Sequence, residues 1–127
     1  MIDLGWLDTL VAFMATGTAT IEKTTALLRD DARPPVLSSV SIYPLPHIST
    51  PVAMDLVFAK NAQPALVDIA AKVGELRAMP RSPDDFSSGD KHAAYVTRDK
   101  TTVRVFAELD RETGRVAKLF VDAYTSR

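Results

Sequence analysis

From His92 to Tyr124 the chain alternates small or branched apolar residues with polar or aromatic ones in three consecutive runs. Only Asp99-Lys100 and Asp110-Arg111-Glu112-Thr113-Gly114 interrupt them. A side-chain period of two belongs to strands, and connections this short join neighbours in space, so the stretch is confined to an antiparallel meander. Pairing Arg98 with Thr101 puts Ala94, Val96, Val103 and Val105 on one face. Gly114 suits the left-handed position of the second turn, which predicts that Leu109 pairs with Arg115. In that register Val103 opposes Val121, Val105 opposes Leu119 and Ala107 opposes Ala117, all on the inner face, whereas a slip of one residue would mix the faces. The outer face then collects Tyr95, Arg104, Phe106, Glu108, Lys118, Phe120, Asp122 and Tyr124, with Arg104 opposite Phe120 and Lys118 opposite Phe106.

Upstream patterns supply the rest of the architecture. Leu4, Leu7, Leu10, Val11 and Met14 recur at helical spacing, and Trp6, Leu10 and Phe13 form a second stripe, so this helix needs cover on two sides. Thr16-Gly17-Thr18-Ala19-Thr20 predicts a break, residues 21–29 resume a helix, and Pro34-Pro35 stops it. Residues 36–43 read as a strand closed by Pro44 and Pro46. Residues 52–59 read as a second strand, with Met54, Leu56 and Phe58 on one side and Asp55 on the other. Asn61 suits an N-cap and Pro64 a first turn, leading into a helix striped by Leu66, Ile69, Ala70, Val73 and Leu76. The order helix, strand, strand, helix, strand, strand, strand implies an α+β fold: one mainly antiparallel sheet with helices packed on one side. The length suits a single domain over residues 1–127, in which the helical segment 1–33 covers either the sheet or a partner.

Composition removes several function classes. A charged fraction of 24% with net charge −1 carries no global attraction to nucleic acid or anionic membranes. The absence of cysteine excludes a disulfide framework, thiolate zinc sites and a cysteine nucleophile, and it accords with a reducing, cytoplasmic setting. The apolar opening MIDLGWLDTLVAFMA carries Asp3 and Asp8, lacks a basic leader and is too short to span a membrane, so no membrane association is expected. Ser87-Ser88-Gly89 lacks the strand-turn-helix setting of a nucleophile elbow and no glycine-rich phosphate loop occurs, so no catalytic residue or cofactor is assigned. A metal protein or small enzyme would have to draw on His47 and His92 together with Asp84, Asp85 and Asp90. Their spacing matches no recognised ligand motif, so no metal is assigned.

The segment LDTLVAFMATGTATIEKTTALL resembles the opening helix-turn-helix of LysR-type transcription regulators, with Leu10 seven residues before Gly17-Thr18 and Leu28 after the turn. Where that family packs two alanines against its first helix, this chain has Glu22-Lys23. Where the family has its recognition helix, this chain has Pro34-Pro35 and a strand pattern. DNA binding, which the resemblance implies, needs a basic face, and Lys23 and Arg29 are too few.

The outer sheet face is the remaining functional lead. Aromatics with arginine anchor interfaces, so Tyr95, Arg104, Phe106, Lys118, Phe120 and Tyr124, together with Trp6 and Phe13 on the first helix, are expected to bind another protein or form a homodimer. The same face is a candidate platform for single-stranded nucleic acid, with bases stacked on rings and phosphates on Arg104 and Lys118. Glu108 and Asp122 oppose that reading.

Overall fold

The computed structural model describes residues 4–16, 21–27, 34–43, 53–79 and 91–125. Helix α1 spans Gly5–Met14, and its Leu7, Leu10, Val11 and Met14 are buried. Ala15 donates to the Val11 carbonyl at 2.9 Å and Thr16 to that of Phe13 at 3.2 Å, closing the last turn. Helix α2 is Ile21–Leu27 and strand β1 Leu37–Tyr43, so the described chain after α2 continues as a strand and not as a recognition helix. Strand β2, Ala53–Phe58, pairs antiparallel with β1.

The connection to helix α3 departs from expectation. Lys60–Ala62 form a short 3-10 turn, so Asn61 lies inside that turn and caps nothing downstream. Gln63 and Pro64 follow, and α3 runs Leu66–Val73. Its N-terminus is held by the Asp68 carboxylate, which accepts the Ala65 N–H at 3.1 Å. Gly74, at φ 92°, ends the helix two residues before Leu76. Leu76 still packs against the core from outside the helix.

Strands β3 (Arg77–Ala78), β4 (Lys91–Arg98), β5 (Thr101–Leu109) and β6 (Val116–Thr125) complete a six-stranded sheet in the order β1-β2-β6-β5-β4-β3. Every neighbouring pair is antiparallel. The two-residue β3 has no counterpart in the sequence reading. The β4–β5 hairpin pairs Arg98 with Thr101 as expected, and Asp99 takes the positive φ of 54° that so tight a turn requires.

The β5–β6 register corrects the sequence reading. Val103 opposes Ala123, Val105 opposes Val121 and Ala107 opposes Leu119, a shift of two residues. Two local features produce it. The turn closes between Asp110 and Arg115 (2.7 Å), with Gly114 at φ 70°, and is one residue shorter than expected. The ladder then passes from Leu109–Val116 to Glu108–Lys118, which leaves Ala117 as a bulge. The bulge lets Val116 and Leu119, three apart, both point inward, and both are fully buried.

Helices α1 and α3 cover the inner face, joined by an ion pair between Lys72 and Asp8 at 3.0 Å. Leu7, Leu10 and Met14 share one core with Met54, Leu56, Ile69, Val103, Val105, Leu119 and Val121. The second stripe expected on α1 does not form a separate greasy side. Leu10 is fully buried, and Trp6 and Phe13 are partly buried against the same core. The Trp6 ring lies 6.2 Å from that of Phe58.

Candidate functional site on the outer sheet face

The register sets the outer face out in rows that cross the strands. One row runs Tyr43, Ala53, Asp122, Arg104, Tyr95. The next runs Ser41, Asp55, Phe120, Phe106, Ala93, Arg77. A third places Val57, Lys118, Glu108 and Lys91 side by side. Alternation along each strand places these side chains away from the helices.

The aromatic rings form a continuous band across the sheet. Tyr43 lies 6.4 Å from Phe120, Phe120 lies 5.8 Å from Phe106, and Phe106 lies 6.4 Å from Tyr95 in an edge-to-face arrangement. Separations and tilts of this kind suit the ring quadrupoles. The band reaches from β1 to β4, and β2 contributes Asp55 beneath it. Phe106, Phe120, Tyr124 and Tyr43 are half-buried, while Tyr95 is 60% exposed.

The Arg104 guanidinium sits 5.7 Å from the Phe106 ring centre and 5.5 Å from that of Tyr124. Its register partner is Asp122, not Phe120 as the sequence reading had it. Arg104 Nε donates to Asp122 Oδ1 at 2.7 Å and Nη2 donates to Oδ2, a bidentate pair. Asp122 is only 1% exposed, so its charge depends on that partner. The Asp122 hydrogen bonds raise the Arg104 pKa further above its ordinary value.

Lys118 stands beside Glu108 and not opposite Phe106, and its Nζ lies 3.4 Å from Asp55 Oδ1. Tyr43 donates its hydroxyl to Asp55 Oδ2 at 3.3 Å. Burial, and then the Asp55 charge, raise the Tyr43 pKa and keep the phenol protonated. A concavity of about 320 Å³ opens on this face between Asp55 and Lys118 on one side and Met79 and Lys91 on the other, with Phe106, Phe120 and Glu108 also lining it.

The structure therefore brings Tyr95, Arg104, Phe106, Lys118, Phe120 and Tyr124 together, and adds Tyr43 and Asp55. Trp6 and Phe13 lie on the helical side of the sheet and do not join them. His92 pairs in register with Ala78 and Ala107, away from the aromatic band. His47, Asp84, Asp85 and Asp90 lie outside the described residues, as do the break at residues 17–20 and the proline-rich loop at 44–52. Among the described residues no three His, Asp or Glu side chains gather as a metal site. Among the same residues no helix is long and apolar enough to cross a membrane.

No protein-family model matches the chain, and no curated protein or solved structure matches it significantly.

Proposed function

We propose that this chain is a non-catalytic, cytoplasmic binding protein that self-associates through the outer face of its sheet. The observation that carries the proposal is the unbroken ring band Tyr43, Phe120, Phe106, Tyr95 on the face opposite α1 and α3. Aromatics and arginine together are the residue types that anchor interfaces, and lysine and acidic side chains at their edge suit a polar rim. Four strands at about 4.8 Å spacing and nine residues of β5 at about 3.4 Å give a footprint of about 600 Å² per copy. Side-chain relief brings that toward the about 800 Å² per partner of a standard interface. Trp6 and Phe13 drop out of this surface because they are packed on the core. Acidic Asp55, Glu108 and Asp122 balance Lys91, Arg104 and Lys118, which favours a protein partner over a phosphate backbone.

Light scattering on the purified protein tests the reading. Wild type is expected to elute at twice the chain mass, and the Phe106→Glu variant as a folded monomer. A wild-type protein that stays monomeric at high micromolar concentration would defeat it.

A further inference from the structure

We infer that the self-association is two-fold, with its axis parallel to the strands between β5 and β6, so that each β5 side chain meets the β6 side chain of its own row in a second copy. The inference rests on the self-association proposed above and adds its geometry. Closed two-fold dimers place the same patch on both partners, so the patch must be complementary to itself.

Outward residues of β5 and β6 pair within the sheet as Arg104 with Asp122, Phe106 with Phe120 and Glu108 with Lys118. Each row is thus cation with anion, or ring with ring. A two-fold rotation about an axis lying between these strands and parallel to them exchanges β5 with β6 without changing the row. Phe106 then lies over Phe120 of the second copy and Glu108 over its Lys118, while Arg104 comes over the row of Asp122, whose carboxylate is 1% exposed and stays bonded to Arg104 of its own chain. On the flanking strands β4 exchanges with β2, which sets Lys91 over Val57 and Ala93 over Asp55, so no like charges meet there.

Aligned sheets cross at about 30°, which displaces rows about 7 Å from the crossing point by about 3–4 Å, within the reach of Arg, Lys and Glu side chains. The ring row at the crossing point is displaced least. An in-plane axis perpendicular to the strands and through the ring row also matches Arg104 with Glu108, but it lays Asp55 over Asp55 of the second copy. Like charges set against each other disfavour that alternative.

Charge reversal separates the two axes. Glu108→Lys sets cation against cation across the strand-parallel axis, and Lys118→Glu sets anion against anion. Both residues are partly exposed, so each variant is expected to keep the wild-type circular dichroism. Each variant alone should weaken dimerisation at least tenfold, and an equimolar mixture should recover a heterodimer of near wild-type affinity. Under the perpendicular axis the lysine of Glu108→Lys meets Arg104 of the other chain, and mixing recovers nothing.

If a charge variant fails to fold, the cysteine-free chain allows a second measurement. Phe106→Cys mixed with Phe120→Cys should cross-link on oxidation, while Phe106→Cys alone should not. A dimeric wild type whose variants do not recover on mixing, or whose Phe106→Cys form cross-links to itself, overturns the axis and leaves self-association standing. A monomeric wild type overturns both.

Discussion

Asp122 carries the largest electrostatic liability of any described side chain, because it is a carboxylate 1% exposed in the middle of a sheet face. Arg104 answers it with a bidentate bond while its own guanidinium packs over Phe106 and Tyr124. Removing the cation alone strands the anion. Arg104→Met is therefore expected to cost about 3–5 kcal/mol, whereas Arg104→Met combined with Asp122→Leu should cost much less. Urea unfolding at unchanged m-value measures both. A single variant as stable as wild type would show that Asp122 does not depend on Arg104. The pair was within reach of the sequence. Alternation assigns both residues to the outer face, and from Lys118 onward a two-residue slip keeps every residue on its face, so over that stretch hydrophobic pattern cannot choose between the two registers. Matching opposite charges could have chosen, since the observed register joins Arg104 to Asp122 and Glu108 to Lys118 and the expected one does neither. Tyr43 was legible in the same way, being out of phase with the apolar Val40 and Ile42.

At the scale of elements, the β5–β6 turn is fastened to the segment before α3. Lys60 Nζ reaches Asp110 Oδ2 at 3.0 Å and Glu112 Oε2 at 2.9 Å. Gln63 Nε2 donates to Asp110 Oδ2 at 2.9 Å, and Thr113 donates to Gln63 Oε1 at 2.6 Å. The Val116 N–H bonds the Pro64 carbonyl at 2.8 Å. The Gln63 bond first, then Lys60, then the Glu112 backbone N–H hold the Asp110 carboxyl well below the usual carboxylate range. A carboxyl whose pKa is depressed on folding contributes stability that is complete above its unfolded pKa and is lost as pH falls below it. Asp110→Asn should therefore lower the urea midpoint by a constant amount from about pH 5 to 8, with the difference shrinking from about pH 4 down to 2. A difference that is independent of pH down to that point would exclude Asp110 as its source. None of this network follows from sequence pattern, because it depends on segments some fifty residues apart meeting. The same applies to β3, whose two residues form a strand only because β4 offers them an edge. Asn61 departs from expectation for a related reason: its cap chemistry is generic, and the residue falls inside a 3-10 turn.

For the whole molecule, chain order and sheet order disagree in one consequential place. Strands β3 to β6 follow one another across the sheet, but β2 pairs with β6, so the first two strands of the chain sit beside the last. That arrangement places Tyr43 and Asp55 beside Phe120, which extends the ring band beyond the β4–β6 meander that sequence alternation alone outlines. With α1 and α3 on the inner face, the self-association proposed above would couple the outer face to stability. A species that binds its own folded copy and not the unfolded chain is stabilised by mass action. For a dimer that unfolds to two monomers, a tenfold rise in concentration adds about 1.4 kcal/mol per dimer, and divided by the unfolding entropy of both chains that should raise Tm by about 2–3 °C. Phe106→Glu should abolish the dependence, giving the same Tm across about two decades of concentration. Calorimetry over that range decides the matter. A wild-type Tm that does not move with concentration would remove the coupling between this face and folding, and with it the dimer as the stable form of the chain.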